Sequence, residues 1–160
     1  MIIKKMNRIF LFCLFAMQLI VAGTANAENV TFNTRSWDEE NKEVVTRTDT
    51  KNCAVLEGDH SEDWIDLDNG YYVARGGVNY KVLNIVGSNV HLILEDGATL
   101  YCKHVKLETG HSLSIFSQSD GESQGKLIAD NTDYKYAAGI GGGDEATSGT
   151  IHNGKKVVIK

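Results

Sequence analysis

The chain has 160 residues, with 16 Lys and Arg against 21 Asp and Glu, and it contains no Pro. This length is enough for one domain with a modest core. The acidic balance, and the absence of any basic cluster longer than Lys155-Lys156, argue against a nucleic-acid partner. They also argue against simple electrostatic capture of an anionic polysaccharide, unless a cation bridges the two.

Residues 1–27 have the three parts of a secretory signal peptide. Basic residues precede an apolar run at 9–22, and small residues follow it. The run is short for a bilayer span, which needs about 20 residues, so a permanent membrane anchor is the less favoured alternative. We expect cleavage between Ala27 and Glu28, no stable membrane insertion afterwards, and a protein that is secreted, extracellular, on the cell surface or in the periplasm.

Cleavage would leave 13 basic and 21 acidic residues, a net charge of about −8, and two of the three cysteines, Cys53 and Cys102. An oxidising compartment permits a disulfide between these two cysteines. Two buried, unpaired thiols are the alternative, because the sequence does not show whether their Cα atoms come within bridging distance.

Residues 28–63 form a polar N-terminal segment. A charged turn at 38–43 separates Thr31-Phe32 from strand-like residues at 44–46, and weak strand character continues through 53–56. We expect two or three strands that cap the end of a stacked sheet, since an open edge invites pairing with other chains. A disordered leader is the alternative, given the charge of this segment.

Acidic side chains surround Trp64 and include ligand types that calcium prefers. The candidates are Asp59, Asp63, Asp66 and Asp68. Their spacing does not match the calcium-binding helix-loop-helix pattern. We therefore favour an ordinary turn rich in Asp and Asn, and we expect no cofactor.

From residue 64 to residue 160 the chain reads as short strands joined by tight corners. Predicted strands lie at 71–73, 78–80, 82–86, 90–94, 113–116, 125–129, 149–151 and 157–159. The connections are too short for helices, and no apolar stripe of helical period appears. The fold class is therefore all-β.

A ten-residue pattern occurs twice, at 91–100 and at 104–113, with the shared frame His, apolar, any, Leu, Glu, any, Gly, any, Thr or Ser, Leu. Period-two alternation separates its apolar side chains from its polar ones. The inward set is Leu92, Leu94, Leu100, Val105, Leu107 and Leu113, and the outward set is His91, Glu95, Thr99, His104, Glu108 and Ser112. Repetition at a fixed offset favours a single-stranded parallel β-helix, or β-solenoid, behind the N-terminal β cap.

The offset of thirteen residues is short for one coil of a three-sided solenoid. The two copies are therefore either stacked coils or consecutive faces of one coil. Only stacked copies would bring His91 and His104 together, with Glu95 and Glu108, as a zinc site. We favour the simpler interpretation, in which these are repeat positions on a solvated sheet face.

Several segments between about Trp64 and Ile151 share a Gly-rich pattern. They are Gly70-Tyr-Tyr-Val73, Val90-His-Leu-Ile-Leu-Glu-Asp-Gly-Ala-Thr-Leu100, Ser112-Leu-Ser-Ile115, Gln118-Ser119, Gly125-Lys-Leu127, Ala138-Gly-Ile-Gly-Gly-Gly143 and Gly149-Thr-Ile151. Together they resemble the Gly-rich β-solenoid repeat modules of secreted bacterial surface proteins. The resemblance implies a parallel solenoid at the cell surface, with adhesion or glycan contact as its usual role, and it brings no catalytic residue.

Members of that family are usually longer than this chain. The sequence ends at Lys160, inside what looks like a strand. It is therefore either a natural short form or a truncated piece.

Gly141, Gly143 and Ala146 satisfy a loosened dinucleotide-binding fingerprint. Such a fingerprint must open a helix, and the residues at 147–154 are poor helix formers. We interpret these glycines as corner residues.

An enzyme acting on glycans is the main functional alternative. The carboxylates Glu95, Asp96, Glu108, Asp130 and Asp133 lack the apolar context that would raise a pKa for general-acid work. A polysaccharide lyase-like enzyme for acidic glycans would need a base such as Lys103, Lys106 or Lys126. We expect scattered lysines to be solubilising, and we assign no catalytic residue and no metal.

Tyr134 and Tyr136 lie beside Asp130, Asn131 and Asp133, just before the Gly-rich corner. Flat rings combined with polar side chains suit a pyranose, whose face is apolar and whose rim is polar. We expect a non-catalytic module that contacts a polysaccharide or a host or cell-surface glycan through these residues. A purely structural spacer of a surface protein is a further alternative.

Overall fold

The structure, a computed structural model, describes residues 26–132, 138–142, 150–153 and 157–159, the last two segments as backbone only. Its strands in chain order are β1 Ala27–Asp38, β2 Glu43–Leu67, β3 Gly70–Ile85, β4 Val90–Leu94, β5 Thr99–Leu107, β6 Ser112–Ser117, β7 Lys126–Ala129, β8 Ile140–Gly141, β9 Thr150–Asn153 and β10 Val157–Ile159. The described residues contain no helix, so the all-β prediction is confirmed. In that part of the chain, no helix of sufficient length and apolarity to cross a membrane occurs.

Most strands pair in parallel, and the paired segments form three rows. Each row is a series of segments that are hydrogen-bonded side by side. Row 1 contains 54–56, 70–74, 90–94, 113–117 and 150–153. Row 2 contains 58–60, 77–80, 99–102, 126–129 and 157–159. Row 3 contains 64–67, 82–85, 104–107 and 140–141. The chain passes through rows 1, 2 and 3 in that order and then begins again.

The inward side chains of the three rows form one apolar core. All six predicted inward residues belong to it: Leu92, Leu94, Leu100, Val105, Leu107 and Leu113. Removing aliphatic side chains from water is the main stabilising contribution, roughly 25 cal/mol for each Å² of apolar surface. The alternation that defines the inward set is therefore confirmed.

Long strands replace some of the predicted short ones. β3 joins the predicted strands at 71–73, 78–80 and 82–86 into one element. Its first part pairs with β4 and its second part with β5. Gly76 has a φ of 64°, which lets the strand bend between these partners without ending. Tight corners thus occur inside strands as well as between them.

The repeated Gly of the ten-residue pattern has a backbone role. Gly97 in the first copy and Gly110 in the second copy have φ values of 77° and 85°. A side chain is strained in this region of φ, and glycine is not. The frame therefore repeats a corner as well as an alternation.

The N-terminal part of the chain covers the outer face of row 1. β1 pairs with residues 43–54 of β2 as an antiparallel ribbon. Val30 and Phe32 of β1 are buried against Val73 and Ile93, whose neighbours along each strand point into the core. Around Val73 and Ile93, row 1 is consequently buried on both of its faces.

An ion-pair network ties the start of β1 to row 1. The Arg75 guanidinium binds the Glu28 carboxylate in β1 and the Glu95 carboxylate after β4, the latter at 3.0 Å. Arg75 lies where β3 turns from row 1 towards row 2. The network therefore connects three separate segments at one corner.

Both described cysteines are free, buried thiols. Cys53 lies in the cluster beneath β1, whereas Cys102 lies in the core. Burial raises the pKa of the Cys102 thiol to about 12, which makes it a poor nucleophile. Of the two states left open by the sequence, the structure has the unpaired one.

Candidate functional site

Among the side chains that the structure describes in the three rows, Trp64 is the most exposed aromatic one. It is 59% exposed, while its neighbours Ile65 and Leu67 point towards the core. Trp64 pairs with Val82, and Val82 pairs with His104. Parallel strands lie about 4.8 Å apart, so these three residues form one outward column across row 3.

A second outward column runs beside the first. Asp66 pairs with Asn84, and Asn84 pairs with Lys106. We call the two columns together the Trp64 face. Its members are Trp64, Asp66, Val82, Asn84, His104 and Lys106.

Hydrogen bonds hold the polar side chains of the Trp64 face in place. The Asn84 amide Nδ2 donates to Asp66 Oδ1 at 2.7 Å. Asp66 is two residues from Trp64 along the strand, which is about 7 Å. The Lys106 ammonium lies 2.7 Å from the Glu108 carboxylate. A flat exposed ring therefore stands next to an ordered amide and carboxylate.

His104 is buried rather than solvated. It is 7% exposed, and its Nδ1 donates to the Ala138 carbonyl oxygen at 2.5 Å. Burial is the largest cause of its lowered pKa, which hydrogen bonds to Ala138 and Gly139 partly offset. The neutral imidazole consequently carries its proton on Nδ1, and its Nε2 has no hydrogen-bond partner.

The connection over His104 is longer than its counterpart in the preceding passage through the rows. There, Lys103 alone separates row 2 from row 3. In the next passage the chain leaves row 2 at Asp130, whose N–H donates to the Cys102 carbonyl oxygen. It reaches row 3 at Gly139, whose carbonyl oxygen accepts a hydrogen bond from the Val105 N–H. An insertion at this corner thus begins and ends beside His104.

The predicted glycan contacts belong to this insertion. Asp133, Tyr134 and Tyr136 lie outside the described residues. Asn131 is buried, and its Nδ2 donates to the same Ala138 carbonyl that His104 binds, at 3.3 Å. The Asp130 N–H is part of the sheet ladder. The described part of the predicted site is therefore the base of the insertion.

The two copies of the ten-residue pattern follow one another through different rows and are not stacked on each other. His91 lies in row 1, where it pairs with Tyr71 and Ser114, while His104 lies in row 3. The His91 ring stacks on the Tyr71 ring, with centroids 4.3 Å apart. The stacking that a zinc site would need is absent from the described rows, where no group of three His, Cys, Asp or Glu side chains could hold a metal.

The turn predicted around Trp64 is mostly a strand. Asp59, Asp63 and Asp66 lie within β2, and Asp68 alone lies in the turn that follows. The prediction was wrong because a register shift between His60 and Trp64 accommodates extra polar residues without ending the strand.

The four aspartates considered for calcium each have a different hydrogen-bond partner. Asp59 accepts from the Ser61 N–H, Asp63 lies against His60, Asp66 accepts from Asn84, and Asp68 accepts from the Asn69 N–H. These local contacts use the carboxylates separately along β2 and the following turn.

Two of the five carboxylates considered for catalysis, Glu95 and Glu108, are in ion pairs. Glu95 binds Arg75, and Glu108 binds Lys106. The hydrogen bond from Lys106 is the largest cause of the lowered pKa of Glu108. A general acid needs the opposite shift, so Glu108 does not suit that role.

Sequence reasoning missed Trp64 as a candidate contact. The signal was present, since Trp64 and Asp66 alternate with the apolar Ile65 and Leu67.

Comparison with known proteins adds no relative. No protein-family model, no curated protein and no solved structure matches this chain.

Proposed function

We propose that this chain is a secreted or surface-exposed bacterial β-solenoid module that contacts glycans, as in adhesion, without catalysing a reaction. The three rows of parallel pairs support a solenoid. A chain that visits the same rows in the same order, with Gly70 pairing with Val90 and Val90 with Leu113, advances by one coil at each passage. Adhesion would use the outer surface of such a coil.

The exposed Trp64 ring beside the Asn84–Asp66 pair is the observation that carries the glycan proposal. An indole face covers the apolar face of a pyranose, while the amide and the carboxylate bind its hydroxyl groups. Water would otherwise surround a large apolar ring at this position. A sugar ring placed on Trp64 would bury that surface and keep its own hydroxyl groups hydrogen-bonded.

The insertion that begins at Asp130 extends the proposed contact surface. Its ends flank His104, which lies in the same column as Trp64. Tyr134 and Tyr136 belong to this insertion by sequence. We propose that the rings of these two tyrosines contact the same glycan as Trp64.

Retention on a glycan array tests this proposal. Trp64→Ala should abolish retention on the glycans that the parent retains, whereas Trp37→Ala should not. Trp37 is the matched control because it is also a tryptophan in a strand, and it is 53% exposed. Equal retention by the parent and Trp64→Ala would remove Trp64 from the site.

Two further measurements separate the alternatives. Tyr134→Ala combined with Tyr136→Ala should weaken retention, and unchanged retention would restrict the site to the Trp64 face. Incubation with polyuronates should release no unsaturated product that absorbs in the ultraviolet. Release of such a product would replace the proposal with a lyase, and absence of both retention and release would leave a structural spacer.

A further inference from the structure

We infer that the Trp64 face selects uncharged glycans and repels acidic ones, so that its ligand is a neutral polysaccharide or oligosaccharide. This inference rests on the proposed function and adds the chemical class of the ligand. The residues that set the selectivity are Asp63 and Asp66, which flank Trp64 on one strand.

Acidic side chains dominate the part of the chain that contains Trp64. Between residues 57 and 68 there are six: Glu57, Asp59, Glu62, Asp63, Asp66 and Asp68. The same stretch contains no Lys or Arg. The strand that presents the indole ring therefore carries a strong negative charge.

Two nearby lysines lie against carboxylates other than those of Asp63 and Asp66, and one of these carboxylates belongs to Glu62, a member of the acidic stretch. The Lys81 ammonium lies 3.7 Å from the Glu62 carboxylate, and the Lys106 ammonium lies 2.7 Å from the Glu108 carboxylate. Asp66 receives its hydrogen bond from a neutral amide, that of Asn84. The Asp66 carboxylate is the negative charge closest to Trp64 on the Trp64 face. The neutral Asn84 amide therefore holds this carboxylate in place without cancelling its charge.

Distance decides whether this charge reaches a ligand on the ring. Asp66 is about 7 Å from Trp64 along the strand, which is within the Debye length of about 8 Å at physiological salt. If the ring of a uronate stacked on the indole, its carboxylate would lie in the electric field of Asp66 and would be repelled. A neutral sugar would keep the stacking and the hydrogen bonds without this repulsion. The site would therefore select neutral glycans by repelling acidic ones.

Quenching of tryptophan fluorescence measures the local charge without any glycan. In Trp37→Phe, Trp64 is the remaining tryptophan. For each ion, the quenching constant of the protein is divided by the quenching constant of free tryptophan. At low ionic strength, this relative constant should be about twofold larger for caesium than for iodide. Asp63→Asn with Asp66→Asn should bring this ratio towards one, while acrylamide quenching should stay unchanged and show equal exposure. A ratio near one in Trp37→Phe itself would overturn the inference.

Binding to a matched pair of ligands tests the consequence. Cellulose oligomers and the same oligomers oxidised to carboxylates at C6 differ in charge but share linkage and ring shape. If the neutral oligomer is retained, its oxidised form should be retained at least severalfold less, and high salt or the double Asp→Asn variant should reduce the difference. Equal or stronger retention of the oxidised form would overturn the inference and leave the proposed contact at Trp64 intact. Loss of retention for every glycan on the array, with the quenching ratio as expected, would instead overturn the proposed function.

Discussion

Two clusters of apolar side chains lie on opposite faces of row 1, and they are built differently. The inner cluster draws on all three rows, so its members pack against residues of neighbouring parallel strands. The outer cluster depends on one strand, β1, whose Val30 and Phe32 cover Val73 and Ile93. Alternation places a side chain on one face of a strand, but whether that face is exposed or buried depends on a separate segment that covers it.

The Trp64 face shows the same rule from the other side. It is an outward face like the one beneath β1, yet Trp64 is exposed there while His104 is buried. The ribbon of β1 and β2 covers row 1, and the ends of the insertion at Ala138 and Gly139 cover His104. The coverage of each outward face thus distinguishes a structural surface from a candidate binding surface.

The largest effect should follow from removing the ring that covers row 1. Phe32 is 1% exposed, and its ring centroid lies 5.0 Å from that of Phe116. Phe32→Ala should lower the free energy of unfolding by about 3–5 kcal/mol, because it leaves a cavity and exposes the outer cluster. Urea denaturation followed by circular dichroism measures this loss.

Trp37→Ala is the control on the same strand. Trp37 lies opposite Val44 near the end of the ribbon, and both residues are exposed. We expect a change of within about 0.5 kcal/mol. Equal losses for Phe32→Ala and Trp37→Ala would show that β1 is not required to cover row 1.

A smaller effect should distinguish the two clusters through their cysteines. Cys53 Sγ donates to the Lys51 carbonyl at 3.3 Å, so a serine hydroxyl at this position would keep an acceptor. Cys102 is fully buried among aliphatic side chains of the core. Cys102→Ser should therefore cost about 1–3 kcal/mol, the penalty for burying an uncompensated hydroxyl, and Cys53→Ser should cost less.

Urea denaturation of both cysteine variants under reducing conditions makes this comparison. A loss in Cys53→Ser that equals or exceeds the loss in Cys102→Ser would contradict the assignment of the two thiols to different environments.

The smallest effect should be a dependence of stability on pH. Burial is the largest cause of the lowered pKa of His91 and of His104, and Lys51 lowers that of His91 further. The folded protein therefore binds these protons less tightly than the unfolded chain does, whose ordinary histidine pKa is 6.5. Their contribution is fully present above that pH and is lost as the pH falls through the lowered values.

Thermal unfolding between about pH 8 and pH 5 should show this trend as a falling midpoint. His91→Gln and His104→Gln should each reduce the slope of the midpoint against pH. His60→Gln is the control, because the His60 side chain is 44% exposed. A slope that is the same in all three variants would assign the pH dependence to other groups.

Much of the fold could be predicted from the alternation of apolar residues. The inward positions of the repeated pattern and the corner glycines follow from residue types within a few positions of one another. The bend of β3 and the strand around Asp59 could not be predicted in this way. Each depends on a pairing partner at a distant position, which keeps a bent or irregular strand in the sheet.

The candidate site was less predictable for the same reason. Trp64 and His104 are forty residues apart in the sequence, yet both pair with Val82. The number of residues between successive passages through row 3 sets this match, and it includes the corners between the rows. An outward position such as His104 therefore reads as solvated in the sequence and is buried in the structure.

The sequence by itself determined that the chain is all-β, which side chains point inwards, and where glycine must turn the backbone. These properties depend on local stereochemistry and on the period of the strand. Only the tertiary structure decided which copies of the pattern lie side by side, that the two thiols are separate, and which outward faces are covered. Those properties depend on contacts between segments far apart in the chain, and no local pattern encodes which segment will fill a given surface.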